Sequence, residues 1–308
     1  MRTAFLFPGQ GSQTVGMGKD IIEQSDFAKN RFQEANDILE RDLTKIILEG
    51  PEEILKQTQN TQPALFLIES VICDLLKQSG FFPSYTMGHS LGEYSALYAS
   101  EVFDFETGID LVAKRGELMA WAGEKSKGAM AAILGMEKDK IISILLDVKN
   151  GVVVSANENS PEQLVISGDA AAVENACEAL KSAGAKRAIM LPVSGAFHSP
   201  LMKPAADEFS KYLQDKKFAN AKHPLITNVR AKAETDGETL KSLLVEQLLS
   251  PVRWVDCQKE LFAAGIGNAI EVGPGNVLKG LAKKTVEEFN VANCANWENI
   301  ISIVEQYK

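Results

Sequence analysis

A serine flanked by glycines is the arrangement in this sequence best suited to chemistry. Ser90 lies at the centre of residues 88–92 (GHSLG), a G-x-S-x-G pattern between a short strand-like run and a helix-like segment. On a sharp strand-to-helix turn such a serine exposes its hydroxyl, and the glycines let the backbone turn without clashes. The turn also directs the backbone N–H of Leu91 toward a developing oxyanion. The pattern indicates a nucleophile, although a serine that caps a helix would fit the same residues.

A nucleophilic serine needs a base to accept its proton, and the sequence offers three histidines. His89 adjoins Ser90, and neighbouring side chains in a tight turn point in different directions. His223 lies in a polar, turn-like setting. His198 lies in residues 195–200 (GAFHSP), where the chain returns from a segment of different composition, and such a junction favours a cleft wall. His198 is therefore the predicted acid/base, with a structural histidine at a domain boundary as the alternative.

An arginine interrupts the apolar face of a helix-like segment. Between residues 108 and 122 the apolar positions fall on one helical face, and Arg115 lies in the middle of that face. A guanidinium turned inward must meet an anion, because an unpaired buried charge is very costly. One candidate partner is a protein carboxylate. The other is a substrate carboxylate held by two parallel hydrogen bonds, a geometry that arginine matches and lysine does not.

Composition argues against several other functions. The 308 residues include 32 Lys+Arg and 41 Asp+Glu, and the resulting net charge of −9 argues against a general nucleic-acid binder. The four cysteines form no CxxC pair, so we expect neither a metal site nor disulfides. A G-x-x-x-x-G pattern at residues 11–16 is followed by Met17 where a phosphate-binding loop needs lysine. No targeting signal and no membrane-spanning run of ~18 apolar residues is present, which predicts a cytoplasmic protein.

Strand-like and helix-like segments alternate along the chain and predict an α/β fold. Predicted strands include residues 3–7, 85–87, 128–134, 152–155, 164–167, 187–193 and 269–272, and predicted helices include residues 62–76, 91–99, 105–122, 138–146, 170–183, 201–213 and 239–249. The order within residues 126–195 is βαββαβ, as in ferredoxin-like domains. We therefore predict a catalytic domain of residues 1–125 and 196–308, with residues 126–195 inserted as a small subdomain.

Six short segments, taken together, resemble a known family. They are residues 7–13 (FPGQGSQ), 61–65 (TQPAL), 88–94 (GHSLGEY), 115–119 (RGELM), 195–199 (GAFHS) and 271–275 (EVGPG). In this order they resemble the malonyl-CoA:acyl carrier protein transacylases of bacterial type II fatty acid synthesis, and they span nearly the whole chain. The resemblance implies a hydrolase-like α/β core with a parallel sheet and a nucleophile elbow, plus the ferredoxin-like insert.

The resemblance also implies the residues that react and bind the acyl group. Ser90 would be the acylated nucleophile, His198 its acid/base, and Arg115 the group that binds the malonyl carboxylate. Gln247 would orient His198 through its backbone carbonyl, so that a Ser–His pair works without an acidic third member. A carbonyl is sufficient for this purpose, because it fixes the tautomer of the imidazole without adding a charge.

Four further residues are expected around the reacting centre. The resemblance implies that Gln10 and Leu91 supply the two backbone N–H groups of an oxyanion hole. It also implies that Asn157 lines the active-site cleft. Phe197, beside the predicted base, is either a wall that limits the acyl group or an ordinary core aromatic.

The implied activity is transfer of malonyl from malonyl-CoA to the phosphopantetheine thiol of acyl carrier protein through a malonyl-serine ester. We expect a ping-pong enzyme that works as a monomer without a cofactor of its own. The alternatives are a serine thioesterase, a trans-acting polyketide acyltransferase and an inactive acyl-CoA-binding module. Carrier proteins are acidic, so one of two basic clusters would have to meet them: Lys181, Lys186 and Arg187, or Lys279, Lys283 and Lys284.

Overall fold

The computed structural model describes residues 2–149, 151–193 and 195–307, and it confirms the predicted α/β class. The strands are β1 (Thr3–Phe7), β2 (Tyr85–Gly88), β3 (Gly128–Leu134), β4 (Val153–Ser160), β5 (Gln163–Asp169), β6 (Arg187–Met190), β7 (Leu225–Ile226), β8 (Ala233–Glu234), β9 (Asn268–Val272) and β10 (Asn290–Cys294). The helices are α1 (Lys19–Gln24), α2 (Asp26–Leu39), α3 (Leu43–Glu49), α4 (Glu52–Leu55), α5 (Thr58–Gln78), α6 (Gly92–Ala99), α7 (Phe105–Ser126), α8 (Lys138–Leu146), α9 (Ala170–Ser182), α10 (Lys203–Leu213), α11 (Gly237–Gln247), α12 (Trp254–Ala263), α13 (Val277–Thr285) and α14 (Trp297–Tyr307).

The larger sheet has the strand order β10-β9-β1-β2-β7-β8 and is parallel except for the β7–β8 pair. Strand β1 is buried at every position, as expected for a parallel strand with helices on both faces. It pairs with β2 so that Phe7 lies opposite Gly88. The loops that follow these two strands therefore leave the sheet side by side, at the edge where α/β proteins bind ligands.

The smaller sheet is antiparallel, with the strand order β4-β5-β3-β6, and α8 and α9 pack against it in the predicted βαββαβ sequence. Backbone hydrogen bonds connect it to the larger unit: Val252 N–H donates to Ala156, and Glu158 N–H donates to Val252. The boundaries at residues 126 and 195 stay a prediction. Strand β4 is longer than predicted and carries Asn157 in its second half.

Helix α5 begins at Thr58, four residues earlier than predicted, so Pro63 lies inside it rather than in its first turn. Proline has no N–H, so the carbonyl of Gln59, four residues earlier, lacks its usual helical donor. Arg41 supplies a substitute, because its Nη2 donates to that carbonyl at 2.8 Å. This tertiary contact compensates for the missing helical bond, and Gln62, which directly precedes the proline, is buried.

The end of strand β6 and the bounds of helix α11 also differ from the prediction, and both elements lie near the site. Strand β6 stops at Met190 rather than at residue 193, because Pro192 cannot donate to the ladder. Helix α11 covers Gly237–Gln247 rather than residues 239–249, and it begins where Asp236 accepts from the N–H of Thr239 at 2.8 Å. The last carbonyls of a helix have no intrahelical donor, so the carbonyl of Gln247 is available to another group.

Candidate active site

Ser90 lies on a tight turn between β2 and α6, as predicted. Its φ of 52° is in the left-handed region, which a residue with a Cβ seldom adopts. A Cβ at Gly88 would overlap the carbonyl of Gly92, and one at Gly92 would overlap the carbonyl of Phe7. Glycine is therefore required on both sides of the serine, and the turn presents the Ser90 hydroxyl to a cavity.

His198 contacts Ser90 directly. Its Nε2 lies 2.7 Å from Ser90 Oγ, and its Nδ1 lies 2.8 Å from the backbone carbonyl of Gln247. A carbonyl can only accept, so Nδ1 carries the proton and Nε2 is left to accept from the serine. Burial, followed by the positive charge of Arg115, lowers the pKa of His198 to about 3. The imidazole is thus neutral and able to act as a base at physiological pH.

Arg115 is buried on α7, and its guanidinium points at the nucleophile. Its Nη2 donates to Ser90 Oγ at 3.1 Å and to Gln247 Oε1 at 2.9 Å, while Nη1 donates to Gln62 Oε1 at 2.9 Å. All three acceptors are neutral, and within the described residues Arg115 forms no salt bridge. A protein carboxylate, one of the two partners considered from the sequence, is not in contact with it. Arg115 therefore presents beside Ser90 a guanidinium that no carboxylate of the described residues contacts, and Glu93 acts on its charge only from a distance.

The loops after β1 and β2 bring Gln10 and Leu91 to the same cavity. Leu91 directly precedes α6, where N–H groups lack helical acceptors. In the part of the chain that the structure describes, neither the N–H of Gln10 nor that of Leu91 donates to a protein acceptor. Both groups are available to an oxyanion, although their role there stays a prediction.

The cavity at Ser90 has a volume of about 170 Å³ and lies between the larger unit and the smaller sheet. Its walls include the predicted residues Gln10, Ser90, Leu91, Arg115, Asn157, Phe197 and His198, and the apolar side chains Met119, Met130, Val165, Leu191 and Val193. Asn157 and Phe197 are 7% and 6% exposed, so both are buried wall residues. Burial in the wall does not show how either side chain would contact a substrate, so both roles stay predictions.

His89 also lines the cavity, but it has its own partner. Its Nε2 lies 2.8 Å from Asn159 Oδ1 on β4, and its ring packs edge-on against Trp254. Burial lowers its pKa. His89 is thus held by a partner in the smaller sheet, whereas Ser90 contacts His198, as expected for adjacent side chains in a tight turn.

A second, outer cavity of about 430 Å³ shares Gln10, His89 and Asn159 with the first. One of its walls is an exposed face of α13 that presents Val277, Gly280 and Lys284. We call this cavity the outer groove. It includes exposed residues of the protein surface and borders the pocket that contains Ser90.

Sequence reasoning missed several polar residues that surround the nucleophile. Gln62 and Glu93 lie inside two of the recognised segments, but nothing in the sequence assigned them a contact. No motif or periodicity in the sequence pointed to Asn228. The side chain of Gln247 was not expected to contact Arg115. Each of them acts through contacts across the fold, which a local pattern does not encode.

The described part of the chain contains neither a metal-binding cluster nor a membrane-spanning helix. Among residues 2–149, 151–193 and 195–307, no group of three or more His, Cys, Asp or Glu side chains is arranged to hold a metal ion. In those same ranges, no helix has the length and apolar character needed to span a membrane.

This chain is similar to known acyl transferases over most of its length. The family model described as acyl transferase domain matches residues 4–302. The malonyl CoA-acyl carrier protein transacylase of Bacillus subtilis (strain 168) is 45% identical over 309 residues, covering 100% of this chain and 98% of its own. That of Synechocystis sp. (strain PCC 6803) is 44% identical and covers 98% of this chain and 100% of its own.

Solved structures agree with the sequence matches. The acyl carrier protein S-malonyltransferase of Vibrio cholerae O1 biovar eltor superposes with a TM-score of 0.95 at 44% identity, covering 98% of this chain and 100% of its own. A malonyl-transacylase solved with a type II PKS acyl-carrier protein has a TM-score of 0.96 at 40% identity, covering 99% and 100%. Because sequence and structure match over essentially the full length, this chain belongs to the malonyl-CoA:acyl carrier protein transacylase family.

Proposed function

We propose that this protein transfers malonyl groups from malonyl-CoA to the phosphopantetheine thiol of an acyl carrier protein through a malonyl ester of Ser90. The observation that carries the proposal is the cation beside the nucleophile. Arg115 Nη2 lies 3.1 Å from Ser90 Oγ, and its hydrogen-bond partners are neutral. A malonyl group has a carboxylate close to its thioester carbonyl. When the carboxylate binds Arg115, the carbonyl is brought next to Ser90.

In the first half-reaction, His198 Nε2 accepts the proton of Ser90 as Oγ attacks the thioester carbonyl carbon. The N–H groups of Gln10 and Leu91 would stabilise the oxyanion that forms. The C–S bond then breaks, and the proton passes from Nε2 to the sulfur of CoA. The products are free CoA and a malonyl ester on Ser90.

In the second half-reaction, the thiol of the carrier protein's phosphopantetheine gives its proton to His198, and its sulfur attacks the ester. The C–O bond to Ser90 breaks, and His198 returns the proton to Oγ. Water competes with this thiol for the ester. The apolar side chains of the cavity wall would limit that competition, with Phe197 bounding the acyl group and Asn157 lining the cleft.

The proposed setting is the cytoplasm, and the proposed working form is a monomer that needs no cofactor of its own. The four cysteines, Cys73, Cys177, Cys257 and Cys294, are free and buried, as expected in a reducing compartment.

Intact-protein mass spectrometry after mixing with malonyl-CoA tests the proposal. We expect a malonyl adduct on the wild-type protein, none on Ser90→Ala, and loss of the adduct when holo-carrier protein is added. Acetyl-CoA serves as the matched donor without a carboxylate. Release of free malonate without an adduct would instead identify a thioesterase, and absence of any reaction would leave a binding module.

A polyketide carrier protein is the second candidate acceptor, favoured by the similarity to a transacylase solved with a type II PKS carrier. The chemistry is identical, so the acceptor decides between the pathways. Comparing kcat/KM for holo-carrier proteins of the two systems from the same organism would separate them.

The outer groove predicts which basic cluster meets the carrier protein. It is bounded by Lys284, and the neighbouring Lys283 is exposed on the last turn of α13. Because carrier proteins are acidic, we expect Lys283→Glu to raise the KM for carrier protein about 3- to 10-fold at low ionic strength, with the KM for malonyl-CoA nearly unchanged. Lys181→Glu, on the smaller unit, is the matched charge reversal. Steady-state kinetics at two salt concentrations checks this. A larger effect of Lys181→Glu would assign docking to the other cluster.

A further inference from the structure

Asn228, a residue of the segment after β7, holds both sides of the turn that carries Ser90. Its Nδ2 donates to the carbonyl of Gly88 at 2.7 Å, and its Oδ1 accepts from the N–H of Ser90 at 2.8 Å. Asn228 is fully buried. The left-handed backbone of Ser90 costs free energy and persists only where its surroundings fix it. The two bonds of Asn228 supply that restraint from outside the turn.

Glu93 connects Asn228 to a third part of the chain. It lies in the first turn of α6 and is 2% exposed. Its carboxylate accepts from the backbone N–H of Asn228 at 3.3 Å and from Nε2 of Gln247 at 2.6 Å. One carboxylate thus joins the nucleophile's own helix to the segment after β7 and to the end of α11.

The bond from Glu93 also fixes which way the Gln247 amide faces. Nε2 of Gln247 donates to Glu93 and, at 3.0 Å, to the carbonyl of Ser90. This orientation leaves Oε1 to accept from Arg115 at 2.9 Å. The reversed amide would place an NH₂ group against the guanidinium, and two donors cannot bond to each other. The same residue presents its backbone carbonyl to His198.

We propose that Asn228 and Glu93 are positioning residues for the transfer reaction. Asn228 holds Ser90 in its reactive conformation. Glu93 holds Asn228 and orients the Gln247 amide, and through that amide it sets the position of Arg115. Neither residue contacts the substrate in this proposal, which rests on the proposed function. The competing explanation is that both residues only stabilise the fold, as buried hydrogen-bonded groups do.

Two readouts separate positioning from simple stabilisation. The first is the rate at which a fluorophosphonate probe modifies Ser90, which reports the serine and His198 without needing a carboxylate. The second is the ratio of kcat/KM for malonyl-CoA to that for acetyl-CoA, which reports Arg115. A loss of stability alone lowers the amount of folded protein but changes neither value once rates are normalised to active sites.

We expect Asn228→Ala to lower both kcat for malonyl transfer and the probe rate about 10- to 100-fold, with KM within about 3-fold. Asn228→Asp keeps the side-chain volume but loses the donor to Gly88, so it carries the same test if the alanine variant does not fold. Asn36→Ala is the matched control, because Asn36 Oδ1 likewise accepts a backbone N–H, that of Thr44 at 3.0 Å. It should lower Tm without changing either readout.

For Glu93→Ala we expect the malonyl-to-acetyl ratio to fall at least 5-fold. Glu93→Gln should restore most of it, since its amide oxygen can still accept from Gln247. Folded variants of Asn228 and Glu93 that keep the probe rate and the ratio within 2-fold of wild type would overturn the proposal. If the wild-type protein forms no malonyl adduct, the proposed function fails, while the probe rates still test the role of Asn228.

Discussion

Replacing His198 with alanine is expected to lower kcat/KM for malonyl transfer by about 10⁴-fold. The hydroxyl of Ser90 would lose the only base within hydrogen-bond distance among the described residues, at 2.7 Å, and the departing CoA thiolate would lose its proton donor. The remaining catalysis would come from the oxyanion-binding N–H groups and from Arg115. Rapid-quench measurement of the malonyl-Ser90 ester isolates the first half-reaction, where the loss should be fully visible.

The matched control is His223→Ala, because His223 does not line the pocket that contains Ser90. It should retain wild-type kcat/KM. If His198→Ala kept activity within tenfold of wild type, the Ser–His assignment would be wrong, and another base would have to be sought around Ser90.

Replacing Arg115 with alanine is expected to reduce the preference for malonyl-CoA over acetyl-CoA by about 30- to 5000-fold. This range corresponds to about 2–5 kcal/mol for losing one partner of a buried, hydrogen-bonded charge pair. The ratio is the informative quantity, because Arg115 also contacts Ser90 Oγ and its loss slows both donors. Competition between the two donors in one reaction, read by mass spectrometry, gives the ratio directly.

Arg115→Lys provides the conservative comparison. Lysine keeps the charge but cannot make the paired, planar contacts of a guanidinium, so its preference should fall between those of wild type and Arg115→Ala. An unchanged preference in Arg115→Ala would exclude Arg115 as the carboxylate-binding group. It would direct attention to other donors in the wall, such as Asn157.

The reacting serine and the inward arginine could be predicted from the sequence because local patterns encode them. A turn that brings Gly88 against Gly92 needs glycine at both places, and a helix with one apolar face reveals Arg115 as an exception on that face. His198 required elimination among three histidines. The roles of Gln10 and Gln247 came from the family resemblance, since a backbone N–H or carbonyl leaves no mark on residue type.

Other features were beyond the sequence because distant parts of the chain create them. Asn228 binds Ser90 from 138 positions away, and no periodicity links the two. In α5, Arg41 supplies the carbonyl of Gln59 with the donor that Pro63 lacks, and no local pattern encodes this tertiary contact. The polar helices between β1 and α5, such as α2, were not predicted, because packing against the core stabilises them more than their own composition does.

The positive charge of Arg115 links the binding of an anion to the pKa of His198. In the empty site, burial and the positive charge of Arg115 hold the pKa of the imidazole at about 3, so it is a weak base. A carboxylate bound to Arg115 would offset part of that charge and shift the pKa of His198 upward, while the larger cause, burial, would remain. An acetyl group has no carboxylate and would leave this part of the pKa shift unchanged. We therefore expect the charge of Arg115 to favour malonyl over acetyl in proton transfer as well as in binding.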